Sequence, residues 1–233
     1  MRSLRILYFL LFFSLFFSPD SFSQLRKIHS EDADPENEIV SMSFYSASEG
    51  FVAFKKWIGY TADSGRTFNK KFIRIDNVDY GTYPVNLTLG FGISSIKAFD
   101  KNNIVISGDY GFVPSILTST DGGSTFKLSY HSQLNPMVIT DGVRDMIFPS
   151  GNTGFAADPD RVLKTSDGGK TWAPVFTRQG SGFTNIVAPD NQHIFVFSTE
   201  YGLAHLFKSA DGGSTWNTVL LPEISDKRII YSY

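Results

Sequence analysis

A short motif recurs four times in this chain of 233 residues. Every copy, here called a box, fits the pattern S/T-x-D-x-G-x-T-F/W, and the boxes occupy residues 61–68, 119–126, 165–172 and 209–216. The box aspartates, at positions 63, 121, 167 and 211, are 58, 46 and 44 residues apart. Self-similarity at a period of about 45 residues indicates a fold built from repeated supersecondary units that pack against one another.

The residue types of the box suit a tight β-hairpin. The aspartate can accept hydrogen bonds from backbone N–H groups ahead of it, and the glycine can adopt the positive φ that such turns require. The threonine begins the returning strand, and the aromatic side chain is large enough to pack between neighbouring sheets. The boxes therefore predict a structural role for sixteen residues: Asp63, Gly65, Thr67, Phe68, Asp121, Gly123, Thr125, Phe126, Asp167, Gly169, Thr171, Trp172, Asp211, Gly213, Thr215 and Trp216.

Three short apolar runs precede each box and a fourth follows it. In the third unit the preceding runs are 146–148, 154–157 and 161–164, and the following run is 171–176. Four short strands per unit are the pattern of a β-propeller blade, whereas a β-sandwich gives no reason for identical turns at a fixed period. We therefore predict an all-β fold, a β-propeller of four-stranded antiparallel blades over residues 39–233.

The N-terminal residues 1–23 are typical of a secretory signal peptide. Arg2 and Arg5 precede the apolar run 6–17, which is too short for a membrane span of about 20 residues. We predict cleavage at the end of this segment, hence a protein that is secreted, periplasmic or on the cell surface and has no membrane span after cleavage. Residues 24–38 are predicted to supply an N-terminal outer strand and an acidic linker.

The predicted ring is incomplete. An N-terminal outer strand can complete the last blade of a propeller, and that blade then needs three inner strands at the C terminus. Residues 228–231 begin one such strand, so the sequence is expected to supply four to five blades, with the last one truncated. A small ring closed by local rearrangement is the alternative.

Composition argues against several classes of function. The chain has no cysteine, which excludes disulfides, thiolate nucleophiles and cysteine-ligated metals. Its formal net charge of −2 argues against a nucleic-acid binder with a broad basic surface. The four histidines, at positions 29, 131, 193 and 205, lack the spacing of metal ligands, so we expect neither a metal nor any other cofactor.

Several carboxylates fall in loops where a hydrolase could use them. An inverting glycoside hydrolase needs two carboxyl groups about 6.5–9.5 Å apart, one as acid and one as base. The candidates by residue type and position are Asp109, Asp145, Asp158, Asp160 and Glu200. The alternative is that these residues form turns and solvated charges.

The boxes resemble Asp-boxes, also called bacterial neuraminidase repeats. Together with the strand that ends in Gly-Phe before them, they make residues 38–220 most similar to the photosystem II assembly and stability factor family. Sortilin-type receptors, sialidases and xyloglucan-cleaving hydrolases share the box more distantly. The resemblance implies a β-propeller and does not by itself imply an activity.

Loops at the end of the blades opposite the boxes are the predicted binding surface. Aromatic and arginine side chains there would suit a protein or carbohydrate contact. The candidate partner-binding residues are Trp57, Tyr80, Tyr83, Tyr110, Phe112, Arg161 and Tyr201. We predict a secreted, non-enzymatic interaction scaffold that binds an extracytoplasmic protein, such as a membrane complex during assembly.

The alternative function is a secreted glycoside hydrolase or a glycan-binding propeller. A pair of acids, one with a raised pKa, in a central cleft would favour the hydrolase. A shallow aromatic patch without paired acids would favour glycan binding.

Overall fold

The computed structural model describes residues 38–81, 90–111, 113–132, 142–200 and 203–221. The predicted signal peptide, the predicted N-terminal strand and linker up to residue 37, and the predicted truncated strand at 228–231 lie outside the described residues.

Seventeen strands form four sheets in the described part of the chain. The first sheet contains β1 (Ile39–Phe44), β2 (Gly50–Phe54), β3 (Trp57–Thr61) and β4 (Asn69–Phe72). The second sheet contains β5 (Val78–Asp79), β6 (Phe91–Ala98), β7 (Ile104–Tyr110), β8 (Val113–Ser119) and β9 (Phe126–His131). The third sheet contains β10 (Asp145–Ile147), β11 (Gly154–Asp158), β12 (Arg161–Thr165) and β13 (Ala173–Thr177). The fourth sheet contains β14 (Phe183–Val187), β15 (Ile194–Glu200), β16 (Leu203–Ser209) and β17 (Asn217–Val219).

The prediction of an all-β fold with four-stranded antiparallel sheets is confirmed. In the first, third and fourth sheets the strands follow one another in sequence order, and every neighbouring pair is antiparallel. Each box connects the third and fourth antiparallel strands of its sheet, which are β8 and β9 in the second sheet. The box end of a sheet is therefore opposite the end that carries the hairpin between its second and third strands, here called the hairpin end.

The second sheet differs from the prediction because it has a fifth strand. After the 3-10 turn Ile75–Asn77, strand β5 runs parallel to β9 along the outer edge of this sheet. Val78 is buried in the core and pairs with Phe126, while Asn77 Nδ2 donates a hydrogen bond to Ser124 O at 3.3 Å. The connection between the first two sheets thus covers an edge that would otherwise be open to strand pairing.

The first antiparallel strands of the four sheets, which are the innermost strands β1, β6, β10 and β14, lie next to one another, and hydrogen bonds link neighbouring sheets. Ser43 Oγ on β1 accepts a hydrogen bond from Ala98 N on β6 at 2.9 Å. Asp145 Oδ2 on β10 accepts one from Ile186 N on β14 at 3.0 Å. Val143 N, just before β10, donates to Gly108 O of the second sheet at 2.7 Å. The sheets therefore radiate from their first strands, as the blades of a propeller do.

Side chains from both faces of the inner sheets form the cores between blades. In β11, Phe155 and Ala157 pack toward the fourth sheet, whereas Ala156 packs toward the second sheet, and all three are fully buried. The box aromatic residues extend these cores, since Trp216 stacks on Phe176 of the third sheet with ring centroids 5.0 Å apart. Alternating side chains that are buried on both faces explain why these strands are almost continuously apolar.

The third box should tolerate alanine poorly at its second glycine. Gly169 has φ +87°, and an added Cβ would approach Val105 Cγ2 of the second sheet to 2.8 Å, whereas Gly180 has φ +72° and open space around it. Gly180→Ala should cost about 1–2 kcal/mol of unfolding free energy from backbone strain alone, and Gly169→Ala about 1–3 kcal/mol more from the clash. Urea denaturation of both variants measures the difference, and equal losses would contradict the inter-blade contact.

Candidate functional site

Each box closes its aspartate with its own threonine. In the third box Asp167 Oδ1 accepts a hydrogen bond from Thr171 N at 3.0 Å, and Asp167 Oδ2 accepts one from Thr171 Oγ1 at 2.6 Å. Thr165 Oγ1 donates to Asp167 Oδ1 at 2.8 Å and accepts from Gly169 N at 3.0 Å. The other three boxes repeat these contacts. The carboxylates are thus occupied within the turn.

These hydrogen bonds lower the pKa of the box aspartates. Hydrogen bonds from Thr67 and from Thr215 lower the pKa of Asp63 and of Asp211 to about 2. Partial burial raises the pKa of Asp121, but the hydrogen bonds from its turn outweigh burial and bring the pKa to about 2. A carboxyl group that stays ionised in this way cannot act as a proton donor near neutral pH.

Three of the predicted partner-binding aromatic residues pack within their own sheets. Trp57 is only 2% exposed and stacks on Phe54 with ring centroids 3.6 Å apart. Tyr110 is buried, and its ring lies 5.3 Å from that of Tyr80, which is half-buried against the same core. The expectation of an exposed aromatic rim at these positions is wrong, because side chains at the ends of short hairpins fold back onto the apolar faces beside them. The other three predicted aromatic residues, Tyr83, Phe112 and Tyr201, lie outside the described residues.

Arg161 belongs to a polar cluster that joins the second and third sheets at the hairpin end. Tyr130 Oη, near the end of β9, donates a hydrogen bond to Asp158 Oδ2 at 2.6 Å. Arg161 Nη1 donates to Ser132 Oγ at 2.7 Å and to Tyr130 Oη at 3.3 Å, and lies 3.7 Å from Asp158 Oδ2. Asp160 N donates to Asp158 Oδ1 at 3.1 Å. We call Tyr130, Ser132, Asp158 and Arg161 the hairpin cluster.

Burial governs the electrostatics of the hairpin cluster. Asp158 is 2% exposed, and desolvation raises its pKa, although hydrogen bonds from Tyr130 and Asp160 N and the charge of Arg161 oppose the rise. Desolvation and the adjacent carboxylate also raise the pKa of Tyr130, so its hydroxyl keeps the proton that it donates. A buried carboxylate held by a tyrosine, an arginine and a backbone N–H is a satisfied structural group rather than an exposed reagent.

Asp145 is a second carboxyl group, among those the structure describes at the hairpin end, whose pKa is raised. It begins β10, is half-buried, and burial raises its pKa against the opposing hydrogen bond from Ile186 N. Asp145 pairs with Ala157 in the β10–β11 register, one residue before Asp158. Because successive side chains alternate across a sheet, Asp145 faces the fourth sheet while Asp158 faces the second.

Among the candidate carboxylates whose side chains the structure describes, Asp145 and Asp158 therefore face different blades. Asp160 Oδ1 accepts a hydrogen bond from Gly180 N at 2.9 Å, and Asp109 lies on β7 beside Gly92 of β6. The side chain of Glu200 lies outside the described part of the structure. Sequence reasoning missed Tyr130 and Ser132, because their contact with Asp158 and Arg161 depends on how two blades pack. Their positions, at the end of β9 and just after it, carry no motif.

The described ranges hold neither a metal-binding cluster nor a membrane-spanning helix. No group of three or more His, Asp or Glu side chains there could hold a metal ion. No helix in those ranges is long and apolar enough to cross a membrane.

The chain is similar in sequence to an enzyme. No family model matches it. A xyloglucanase from Hypocrea jecorina (strain QM6a) is 27% identical over 177 residues, a match that covers 57% of this chain and 20% of that protein. The match thus spans about a fifth of the length of that relative.

Solved structures share the fold. The GH74 xyloglucanase from Xanthomonas campestris has a TM-score of 0.56 at 13% identity, over 81% of this chain and 31% of that chain. The GH74 enzyme from Niastella koreensis has a TM-score of 0.54 at 17% identity, over 79% and 30%. The extracellular domain of a B. thetaiotaomicron protein assigned to the hybrid two-component systems has a TM-score of 0.58 at 8% identity, over 84% and 24%. At such identities the likeness shows the fold alone, which is a β-propeller.

The similarity to a xyloglucanase contradicts the prediction of a non-enzymatic scaffold that binds a protein partner. That prediction depended on the box, which defines a blade and not an activity. It also depended on an exposed aromatic rim, and Trp57, Tyr80 and Tyr110 are buried or half-buried. The alternative prediction, a glycoside hydrolase or glycan-binding propeller, agrees better with the similarity.

The third box should contribute stability that depends on pH. Asp167→Ala should lower the unfolding free energy by about 1–2 kcal/mol at pH 7, because several hydrogen bonds to one carboxylate are lost. The pKa of Asp167 lies below its ordinary value of 3.8, so the wild type loses the same contribution as the pH falls below that value. Urea midpoints at pH 7, 4 and 2 should show the difference from wild type shrinking, and a constant difference would contradict this account.

The hairpin cluster should be sensitive to loss of one hydroxyl. Tyr130→Phe leaves the buried Asp158 without its shortest hydrogen bond and should cost about 1–3 kcal/mol of unfolding free energy. Tyr60→Phe is the matched control, because Tyr60 Oη donates to Glu49 Oε1 at 2.8 Å but Glu49 is only half-buried. Thermal and urea denaturation should show a larger loss for Tyr130→Phe, and equal losses would argue against a special role for the buried carboxylate.

Proposed function

We propose that the chain forms part of a glycoside hydrolase-type β-propeller that acts on xyloglucan or a closely similar polysaccharide. The observation that carries the proposal is the 27% identity to a xyloglucanase over 177 residues. The match covers a fifth of that enzyme, so the proposal rests on the part of the enzyme that is similar to this chain.

Two finer assignments belong to the same proposal. The four boxes are Asp-boxes, which is supported by their sequence pattern and by the recurring closure of the aspartate by its threonine. The protein is exported through the signal peptide at residues 1–23, which is supported by the charged start and short apolar run of that segment. Export would bring the protein to a polymeric substrate too large to enter a cell.

Asp145 is the described carboxyl group best suited to donate a proton to a glycosidic oxygen. A glycosidase acid must hold its proton at the working pH, which requires a raised pKa. Burial raises the pKa of Asp145, and the side chain remains partly exposed at the hairpin end of an innermost strand. Asp158 also has a raised pKa but is 2% exposed and faces the other blade, so it does not compete for this role.

Donation of the proton is one half of the proposed reaction. As the glycosidic bond breaks, the proton passes from Asp145 to the leaving oxygen, and a second carboxylate activates water or attacks the sugar carbon. Asp145 must be protonated to act as the acid. The rate of hydrolysis should therefore fall as the pH rises through the raised pKa of Asp145.

At another junction between innermost strands, a serine accepts the same kind of hydrogen bond that Asp145 accepts. Ser41 Oγ on β1 accepts from Ile96 N on β6 at 3.2 Å, as Asp145 Oδ2 accepts from Ile186 N on β14. Serine can therefore perform the structural tie between innermost strands, while it cannot act as a carboxylic acid. This equivalence separates the two roles of Asp145 experimentally.

Asp145→Ser should keep the fold and lose hydrolysis. We expect the release of reducing ends from xyloglucan to fall by about 10²–10⁴, the usual contribution of a general acid, with an unfolding midpoint close to wild type. Ser43→Ala is the matched control, because it removes a tie between innermost strands without touching an acid. Full activity in Asp145→Ser would exclude Asp145 as the acid, and a wild type inactive on xyloglucan would overturn the proposed substrate.

A further inference from the structure

At two junctions between sheets, a lysine ammonium group donates hydrogen bonds to the box of the next blade. We call this contact a clasp. Lys71 Nζ, on β4 of the first sheet, donates hydrogen bonds to Gly122 O at 2.8 Å and Ser124 Oγ at 3.1 Å. Lys164 Nζ, on β12 of the third sheet, donates to Gly212 O at 2.7 Å. In both cases the ammonium fills the space beside the neighbouring turn and satisfies a carbonyl of its first glycine.

Among the described residues, no lysine makes the corresponding contact at the junction between the second and third sheets. Thr118 corresponds to Lys164, because each directly precedes the serine or threonine that begins its box. The hydroxyl of Thr118 stays within its own sheet and donates to Lys127 O at 3.5 Å. Within 4 Å of a Cβ built on Gly168, only Gly151 O and Asn152 Oδ1 are present, whereas Lys164 Nζ lies 3.4 Å from the equivalent position of Gly212.

A groove of about 660 Å³ lies at this junction. We call it the junction groove. Its size is within the range of sites that bind small molecules, about 300–1,000 Å³. It runs between the outer edge of the second sheet, including β5, and the box of the third sheet. It lies at the box end, whereas Asp145 and the hairpin cluster lie at the hairpin end.

The polar groups of the junction groove match the hydroxyl groups of a sugar. The side chains that supply them are the hydroxyls of Thr118 and Thr120, the carboxylates of Asp76 and Asp79, and the ammonium groups of Lys127 and Lys170. Asp79 and Lys127 are partners in the β5–β9 register and are both exposed. A carboxylate accepts hydrogen bonds and an ammonium donates them, so the pair can bind neighbouring hydroxyls of one sugar ring.

We propose that the junction groove binds a neutral oligosaccharide segment of the polysaccharide, at a site separate from that of hydrolysis. The inference rests on the proposed function for its substrate class. Two carboxylates and two ammonium groups balance in charge, which favours a neutral glycan over an acidic one. At this junction no described lysine reaches Gly168, whereas Lys71 and Lys164 reach the corresponding glycines at the two other junctions.

Installing the missing lysine tests the proposal directly. Thr118→Lys should place an ammonium in the groove as Lys164 does at the next junction, and should weaken binding of a xyloglucan oligosaccharide at least tenfold in calorimetry. Lys164→Thr is the matched control, because it removes a clasp from a junction outside the groove and should leave the affinity unchanged. In native electrophoresis through gels that contain xyloglucan, Thr118→Lys should be retarded less than the wild type, and Lys164→Thr should be retarded as much as the wild type.

A second variant covers the case in which the new lysine points elsewhere. Lys127→Met removes a sugar-binding donor from the groove edge and should also weaken binding at least tenfold without a large change in the unfolding midpoint. Wild-type affinity in both Thr118→Lys and Lys127→Met would overturn the proposal, as would failure of the wild type to bind the oligosaccharide. Preference for polygalacturonate over xyloglucan would overturn the assignment to a neutral glycan.

The outcomes separate this inference from the proposed function. Loss of hydrolysis in Asp145→Ser with unchanged oligosaccharide affinity supports two independent sites. A wild type that binds the oligosaccharide through the groove but hydrolyses no xyloglucan would reject the proposed activity and keep the binding site. Hydrolysis of a short soluble xyloglucan oligosaccharide at the wild-type rate by Thr118→Lys would show that the groove acts in binding and not in catalysis.

Discussion

The closure of each box aspartate by the threonine four residues later is the interaction on which the rest of the structure depends. It holds the turn that follows the third blade strand and orients the next two residues, which are both glycine in three boxes and Ser64-Gly65 in the first. The first glycine then donates its N–H to the loop between the first and second strands, as Gly168 N does to Asn152 O at 2.9 Å. The second glycine packs against the neighbouring blade, as Gly169 does against Val105. One local hydrogen-bond pattern therefore fixes a blade internally and sets its distance from the next blade.

The parts of the fold that are local in sequence could be predicted, and the parts that depend on neighbouring blades could not. The four strands around each box follow from apolar runs and turn residues, and they were predicted correctly in the described residues. The parallel strand β5 was missed because Val78–Asp79 is only two residues long and pairs with β9 across a turn that has no repeat. Trp57 and Tyr110 were expected at the surface because the hairpins that carry them lie there, but each ring folds back onto an apolar face.

The candidate site was harder to predict because a carboxyl group acquires its chemistry from burial. Asp145, Asp158 and Asp160 look alike in the sequence, and all were candidates. The structure distinguishes them. Asp158 is enclosed by Tyr130 and Arg161, and Asp160 accepts a hydrogen bond from Gly180 N. Asp145 remains partly exposed and has a raised pKa. The box could not decide between a scaffold and an enzyme either, because a turn motif that stabilises blades is compatible with both functions.

The two ends of the blades have opposite electrostatic character, and this suggests how one scaffold could hold two kinds of carbohydrate contact. At the box end, hydrogen bonds lower the pKa of the aspartates, so those carboxylates stay ionised and serve only as acceptors. At the hairpin end, burial raises the pKa of Asp145 and Asp158, which makes a protonated carboxyl group accessible in milder acid. Binding of hydroxyl groups requires permanent acceptors and donors, whereas glycosidic cleavage requires a carboxyl group that exchanges a proton. The raised pKa of Asp145 agrees with the proposed proton transfer at the hairpin end, whereas the proposed binding at the box end depends on the exposed side chains that line the junction groove, such as Asp79 and Lys127.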